Sequence, residues 1–327
     1  MSAQERTLIG WHGVSVWTPA DWMLAAVGGD ERSGYLRVDD QRMPRLQVKW
    51  SPGPINLERK REDYAKRLAF RKRTLPGRGR PTGLEVDTKA RILSQRAKPK
   101  KELAGFAWRG RFCGMGVLWN CQVCKRAVIA QVSWLPEEEL HETAREVLGS
   151  LEDHGTEGWR WWGLDGLSFL APDGYLVQRQ RRLSRHLEIR LGRRRRWVKV
   201  ARWGMVDLVL QGRTLREWFV DQNRKRRDVI PGRAGWQGQE MAIKEHAGLA
   251  AWGEVRKLAG GVRKAVGRVF RRPASAAWAA CAWHCPQANR LYLVESVESE
   301  QGEVLKGVVD SIICHHSGAG TLPAGRG

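Results

Sequence analysis

The 327-residue sequence is poor in acidic residues, in lysine and in cysteine. It holds 35 Asp and Glu against 57 Lys and Arg, so the formal net charge is +22. Only 15 of the basic residues are lysine, and only six residues are cysteine. Few cysteines in a chain of this length exclude a disulfide-based scaffold and favour reduced thiols. We therefore expect a protein of a reducing compartment, the cytoplasm.

Long apolar runs are also missing. No segment reaches the roughly 20 apolar residues that a membrane-spanning helix needs. The first residues, MSAQERTLIG, contain one acidic residue and no apolar core of the kind that a signal peptide has. We expect no transmembrane segment and no secretion.

The motifs of common enzyme classes are missing as well. The sequence has no nucleophile elbow, phosphate-binding glycine loop, metalloprotease helix or dinucleotide fingerprint. We therefore predict no catalytic residues and a binding role rather than an enzyme, although catalytic carboxylates need no motif.

Apolar residues make up 42% of the chain, which is typical of a globular protein. The 17 tryptophans far outnumber the six phenylalanines and four tyrosines. A GC-rich genome would enrich Arg, Gly, Ala and Trp together. It would not create the excess of positive over negative charge, which favours binding to a polyanion.

The chain repeats itself at an offset of 153 residues. The segment GWHGVSVWTPADWML from Gly10 matches GLDGLSFLAPDGYLV from Gly163, and later the pattern W-x-C-x4-R occurs at Trp119 and at Trp283. The two halves also end alike, in VLGSLEDH and VVDSIICH. We predict two domains, residues 8–155 and 159–316, followed by a flexible tail, 317–327.

Each half alternates apolar and polar residues in short runs and then shows helical spacing, which predicts strands followed by helices. Arg193–Arg196 is predicted to turn a hairpin, Thr214 and Glu217 to form a capping box, and Pro136 to open the last helix of the first half. The predicted fold class is α+β, with two tandem copies of a mostly antiparallel sheet flanked by helices.

This order of elements and the motif G-[VL]-S-x-x-x-P-x-x-[WY] resemble the Mog1/PsbP-like fold. The motif residues are Gly13, Val14, Ser15, Pro19 and Trp22, and then Gly166, Leu167, Ser168, Pro172 and Tyr175. The resemblance implies a small adaptor, extrinsic subunit or chaperone without catalytic residues. The arginine content and the W-x-C-x4-R hairpin are not part of that family's pattern.

Basic residues are concentrated in runs, which exceed what helix ends need for dipole complementarity. We predict an anion-binding site in these runs, with a solvated charged surface as the alternative. Its residues are Arg71, Lys72, Arg73, Arg193, Arg194, Arg195, Arg196, Arg224, Lys225, Arg226 and Arg227. The second half also carries an insert near 247–273, where residues 254–272 have the pattern of a basic amphipathic helix. That helix could pack on its own domain, contact nucleic acid or lie on an anionic membrane surface.

Cys121 and Cys124 have the spacing of a metal-ligand pair. Together with Cys281 and Cys285 they could form one zinc site shared by the two duplicated hairpins, although buried reduced thiols and redox chemistry are alternatives. No other cofactor is expected. The predicted function is a binding protein for an anionic partner, most plausibly nucleic acid. The alternatives are an adaptor for an acidic protein, as the resemblance implies, and a zinc-stabilised structural module.

Overall fold

The computed structural model describes residues 5–71, 85–224, 236–254, 277–298 and 302–315. The chain divides into two compact units, Met1–Ser168 and Phe169–Gly327, here called the first and second unit. Within the described residues, 53% of the chain is strand and 17% is helix, arranged in three sheets and five helices. The predicted α+β class is therefore wrong, because the chain is mostly antiparallel β.

The first unit begins with a hairpin and continues into a seven-stranded sheet. Its elements are β1 (Arg6–Trp11), β2 (Val14–Pro19), β3 (Met23–Gly29), β4 (Gly34–Asp39), β5 (Pro44–Pro52), α1 (Leu57–Arg71), β6 (Glu85–Asp87), β7 (Lys101–Arg109), β8 (Cys113–Cys121), β9 (Arg126–Trp134), α2 (His141–Ser150) and β10 (Trp159–Leu164). The sheet order is β3-β4-β5-β9-β8-β7-β6.

The chain passes into the second unit within β11 (Leu167–Pro172). The later elements are β12 (Leu176–Leu183), β13 (His186–Arg193), β14 (Arg196–Gly204), α3 (Val206–Leu210), α4 (Leu215–Arg224), β15 (Gln237–Ile243), β16 (His246–Glu254), β17 (Ala277–Cys285), β18 (Arg290–Glu298) and α5 (Glu303–Ser311). The sheet order is β12-β13-β14-β18-β17-β16-β15. Both units therefore repeat one strand order, and the second unit adds the short helix α3.

Strand β8 of the first unit's sheet and the central strand β18 of the second unit's sheet are buried on both faces. Every residue of β8 is buried, and α1 covers one face of the first unit's sheet by packing Leu57 with Phe106 and Leu118. The closing helix α2 buries Ala144, Val147 and Leu148. In the second unit Trp218 and Phe219 of α4 pack on Trp278 of β17. The tryptophans are mostly core residues.

Glycines make room for the large aromatic side chains across the sheet. Gly114 pairs with Trp108 and Gly116 with Phe106 in the ladder between β7 and β8. A Cβ atom on Gly114 would lie 2.1 Å from the Trp108 ring, and one on Gly116 would lie 2.3 Å from the Phe106 ring. Glycine in these strands is therefore a packing requirement, because the aromatic ring occupies the space of the missing side chain.

Several local predictions are confirmed. Arg193 pairs with Arg196 to close a hairpin, and Thr214 and Glu217 exchange the two hydrogen bonds of a capping box, at 2.8 and 3.2 Å. The predicted start of the closing helix at Pro136 is wrong, because α2 begins at His141. Glu138 accepts both a backbone hydrogen bond from Leu135 and a bidentate bond from Arg45, and these bonds hold that segment in a turn.

Replacing Gly114 with alanine should test the aromatic packing. Overpacking against the Trp108 ring should lower the free energy of unfolding by about 1–3 kcal/mol. Gly149→Ala is the control. Gly149 lies within α2, and a Cβ atom there would meet only Leu93, at 3.8 Å. This substitution should raise the free energy of unfolding by about 0.5–1 kcal/mol. Urea unfolding measures both. Equal effects of the two variants would contradict the packing requirement.

Candidate functional site

Arginines cover one edge of the second unit's sheet. β12 is the edge strand, and Arg179, Arg181 and Arg182 on it are exposed, as is Arg185 in the following turn. The hairpin Arg193–Arg196 joins the next two strands, and all four of its side chains are exposed. These eight residues are here called the arginine edge.

The arginine edge has one acidic neighbour on its three strands. Glu188 of β13 is the only acid in β12, β13 and β14. Its side chain is 9% exposed and lies 4.0 Å from Arg179. Lys199 of β14 is buried and forms an ion pair with buried Glu295. The exposed charge of this edge therefore stays strongly positive.

The length of the edge suits an extended ligand. β12 has eight residues, which span about 25 Å of extended strand. The same length covers roughly seven phosphates along one strand of B-DNA. Leu176 at the start of β12 pairs with Gly192, next to the arginine hairpin. The edge therefore carries guanidinium groups at both ends and along its middle.

The hairpin places an arginine in an unfavourable backbone conformation. Arg194 has φ of +57°, in the left-handed region. Two-residue hairpin turns normally use Asn or Gly there, because a side chain in this region costs about 1 kcal/mol or more. Four arginines in this turn are therefore unfavourable in two ways, because Arg194 adopts a strained backbone conformation and the four positive charges repel one another.

The remaining predicted anion-binding residues are only partly described. The described part of α1 runs to Arg71 and that of α4 runs to Arg224. Lys72 and Arg73 lie outside the described residues, as do Lys225, Arg226 and Arg227. Residues 255–272 of the predicted amphipathic helix also lie outside them. Among the described parts of the chain, no helix is long and apolar enough to cross a membrane.

A second basic feature lies in the first unit. An open cleft of about 690 Å³ lies between α1 and the strands β4, β5 and β9. Lys49, Lys60 and Arg67 line it together with Tyr64 and Trp50, and none of its described lining residues is acidic. This cleft could accept part of an anionic ligand, since it combines cations with aromatic surface.

The six cysteines are free thiols. Burial raises the pKa of Cys124 to about 12, with help from Asp153, and burial raises the pKa of Cys281 to about 11. Both thiols therefore stay protonated near neutral pH and are poor nucleophiles. Cys281 and Cys285 lie on one strand, four residues apart, so about 13 Å of extended backbone separates them. That distance is too long for two ligands of one zinc ion.

The described residues contain two clusters of metal-ligating side chains, one in each unit. Cys121 groups with Asp153 and His154, whereas Cys285 groups with His246, Cys314 and His315. The predicted pair partner Cys124 lies 3.5 Å from Asp153. The predicted zinc ligands are therefore not brought together, since Cys121 and Cys285 fall into two separate clusters and Cys124 and Cys281 belong to neither. Sequence reasoning missed His246, Cys314 and His315 as ligands of a common site. Cys314 lies 29 residues after Cys285 and 68 residues after His246, so no short motif joins them.

The arginine of the W-x-C-x4-R pattern has a structural role in the first unit. Arg126 donates from Nη1 to the carbonyl oxygens of His12, at 3.0 Å, and Asp153, at 3.1 Å. It therefore ties the opening hairpin to the segment after α2. This arginine is not part of an anion-binding surface.

No known protein family matches the chain, and no curated protein matches it either.

Arg194→Gly should separate the stability of the hairpin from its charge. Glycine relieves the left-handed strain, so we expect a gain of about 1 kcal/mol in unfolding free energy and weaker binding to polyanions. Lys125→Gly is the matched control, because Lys125 is an exposed cation at φ of +57° in the first unit's hairpin. It should stabilise without weakening binding. Thermal unfolding and anisotropy measure the two effects, and an equal loss of affinity in both variants would contradict a role for the arginine hairpin.

Proposed function

We propose that this protein binds nucleic acid through the arginine edge of its second unit. The observation that supports this most strongly is the row of eight exposed arginines with Glu188 as the only acid on the same three strands. Arginine is the residue best suited to phosphate, because its planar guanidinium donates two parallel hydrogen bonds.

Contacts of this kind go to the phosphate backbone. The edge strand β12 and the short hairpin carry exposed arginines along one edge of the sheet, and no helix of the described second unit carries a comparable number of exposed arginines. Phosphate contacts fix position but read no sequence. We therefore propose binding with low sequence specificity and strong salt dependence. The cleft with Lys49, Lys60 and Arg67 gives the first unit a place for the same class of ligand.

Binding, rather than catalysis, is the proposed role. The proposed location is the cytoplasm, where nucleic acid is present and where six free thiols are the ordinary state of cysteine. An adaptor that binds an acidic protein is the alternative that follows from the resemblance to the Mog1/PsbP-like fold. Both readings use the arginine edge, and they differ in the partner.

Neutralising the arginine hairpin should weaken binding to nucleic acid. The variant changes Arg193, Arg194, Arg195 and Arg196 to Gln, and the expected loss of affinity is about tenfold or more, or about 1.4 kcal/mol. The measurement is fluorescence anisotropy of nuclease-treated protein with labelled single-stranded and double-stranded DNA and RNA at about 150 mM salt.

The control removes the same number of charges from the exposed surface of the first unit. It changes Arg91, Arg96, Lys100 and Arg111 to Gln, all of which are exposed. Equal losses of affinity in both variants would mean that net charge alone, and not the arginine hairpin, determines binding. Absence of binding by the unmodified protein at this salt concentration would favour the acidic-protein partner, which polyglutamate and acidic-protein competitors would then identify.

A further inference from the structure

The second unit brings four side chains of the zinc-binding type to one point. His246 is the first residue of β16, Cys285 is the last residue of β17, and Cys314 and His315 follow α5. Their ligand atoms all lie within 4.8 Å of one another. Three separate segments of the chain therefore meet at this cluster.

The distances within the cluster match a tetrahedral centre. His246 Nε2 lies 3.5 Å from Cys314 Sγ, and His315 Nδ1 lies 3.3 Å from Cys314 Sγ and 3.4 Å from Cys285 Sγ. Zinc bonds of about 2.3 Å to sulfur and about 2.0–2.1 Å to nitrogen place the two kinds of ligand about 3.5 Å apart in a tetrahedron. The side chains are arranged as ligands of one ion without needing to move far.

The cluster is enclosed. Cys285, Cys314 and His246 are buried, and His315 is partly exposed. Four protein ligands leave no open position, which is typical of a structural rather than a catalytic zinc site.

The equivalent place in the first unit already holds a positive charge. Lys101 is the first residue of β7, as His246 is of β16. Its ammonium group lies 2.9 Å from Glu152 and 3.1 Å from Asp153. Burial lowers the pKa of Lys101, but Asp153 and Glu152 outweigh burial and raise it. The first unit therefore neutralises the buried carboxylate of Asp153 and the half-exposed carboxylate of Glu152 with its own lysines, since Lys98 also pairs with Glu152.

The second unit changes the cation and its acidic partners together. At the positions that follow the closing helix, Glu152 and Asp153 of the first unit correspond to Ile313 and Cys314. The lysine is replaced by His246. A built-in cation with two carboxylates is thus exchanged for a set of neutral ligands that can hold an external cation.

An indole group points to the same exchange. In the first unit Trp119 Nε1 donates to Asp153 Oδ2 at 2.9 Å. Trp283 is the equivalent residue in the second unit, fully buried, and its indole N–H has no hydrogen-bond partner among the described residues. A thiolate at Cys314 would supply an anionic acceptor in place of the Asp153 carboxylate, as is common around metal-bound cysteine.

We propose that the second unit binds one zinc ion through His246, Cys285, Cys314 and His315, and that this ion fastens the segment after α5 to the ends of β16 and β17. The proposal is independent of the nucleic-acid role. Binding of Zn²⁺ forms two zinc–sulfur bonds and two zinc–nitrogen bonds, and each thiol releases its proton to solvent. No oxidant or reductant takes part.

The first test is the metal content of the full chain, purified without chelator and dialysed against metal-free buffer. We expect about one zinc ion per chain by elemental analysis. Cys314→Ser and His246→Gln should each lose most of it. Cys281→Ser and Cys121→Ser should keep it, because Cys281 lies outside the cluster and Cys121 is the first unit's counterpart of Cys285.

Cobalt provides a measurement that does not depend on the metal retained during purification. Co²⁺ added to the apoprotein should give the visible absorption of a tetrahedral thiolate complex, and the spectrum should saturate at one equivalent. The control variants Cys281→Ser and Cys121→Ser should give the same spectrum. Removal of zinc by a chelator should lower the thermal midpoint of the unmodified protein and leave that of Cys314→Ser unchanged.

Four results would overturn the proposal. One is a folded chain that binds neither Zn²⁺ nor Co²⁺. Another is zinc retained equally by Cys314→Ser and the unmodified protein. The third is zinc lost equally in Cys121→Ser and Cys285→Ser. A Cys285–Cys314 disulfide, found by mass spectrometry of protein alkylated before reduction, would also contradict it.

Discussion

Each unit depends on one buried cluster that fastens the chain after its closing helix to the end of its central hairpin. In the first unit the cluster is ionic, since Lys101 meets Glu152 and Asp153 beneath Trp119. An unpaired carboxylate buried at this depth would be strongly destabilising. The second unit has thiols and imidazoles at the matching positions. The same fold is thus closed by two different kinds of polar chemistry.

The repeated sequence motifs contain residues that bind the segment after the closing helix. Ser15 of the opening motif exchanges backbone hydrogen bonds with Glu152, at 2.9 and 2.8 Å, and Arg126 holds the carbonyl group of Asp153. Both residues stand in the segments by which the two halves were aligned. The sequence similarity between the halves therefore follows the contacts that close each unit.

Hairpins and caps could be predicted from the sequence, because short spacing and local hydrogen bonds determine them, as at Arg193–Arg196 and at Thr214. The strand content was underestimated. β8 is buried on both faces, β17 is rich in Ala, and neither strand alternates clearly between apolar and polar residues. The sequence of β12 is dominated by arginine, so its pattern indicates a charged surface rather than a strand. The cluster of His246, Cys285, Cys314 and His315 was missed because it forms only when distant segments meet.

The central functional claim is that the arginine edge contacts several phosphates at once. Its most direct test is the slope of the logarithm of the binding constant against the logarithm of salt concentration. Each phosphate contact on duplex DNA contributes about 0.9 to that slope. Changing Arg193–Arg196 to Gln should reduce its magnitude by about 3 to 4. An unchanged slope would mean that these arginines do not contact phosphate, and the account of this surface would be wrong.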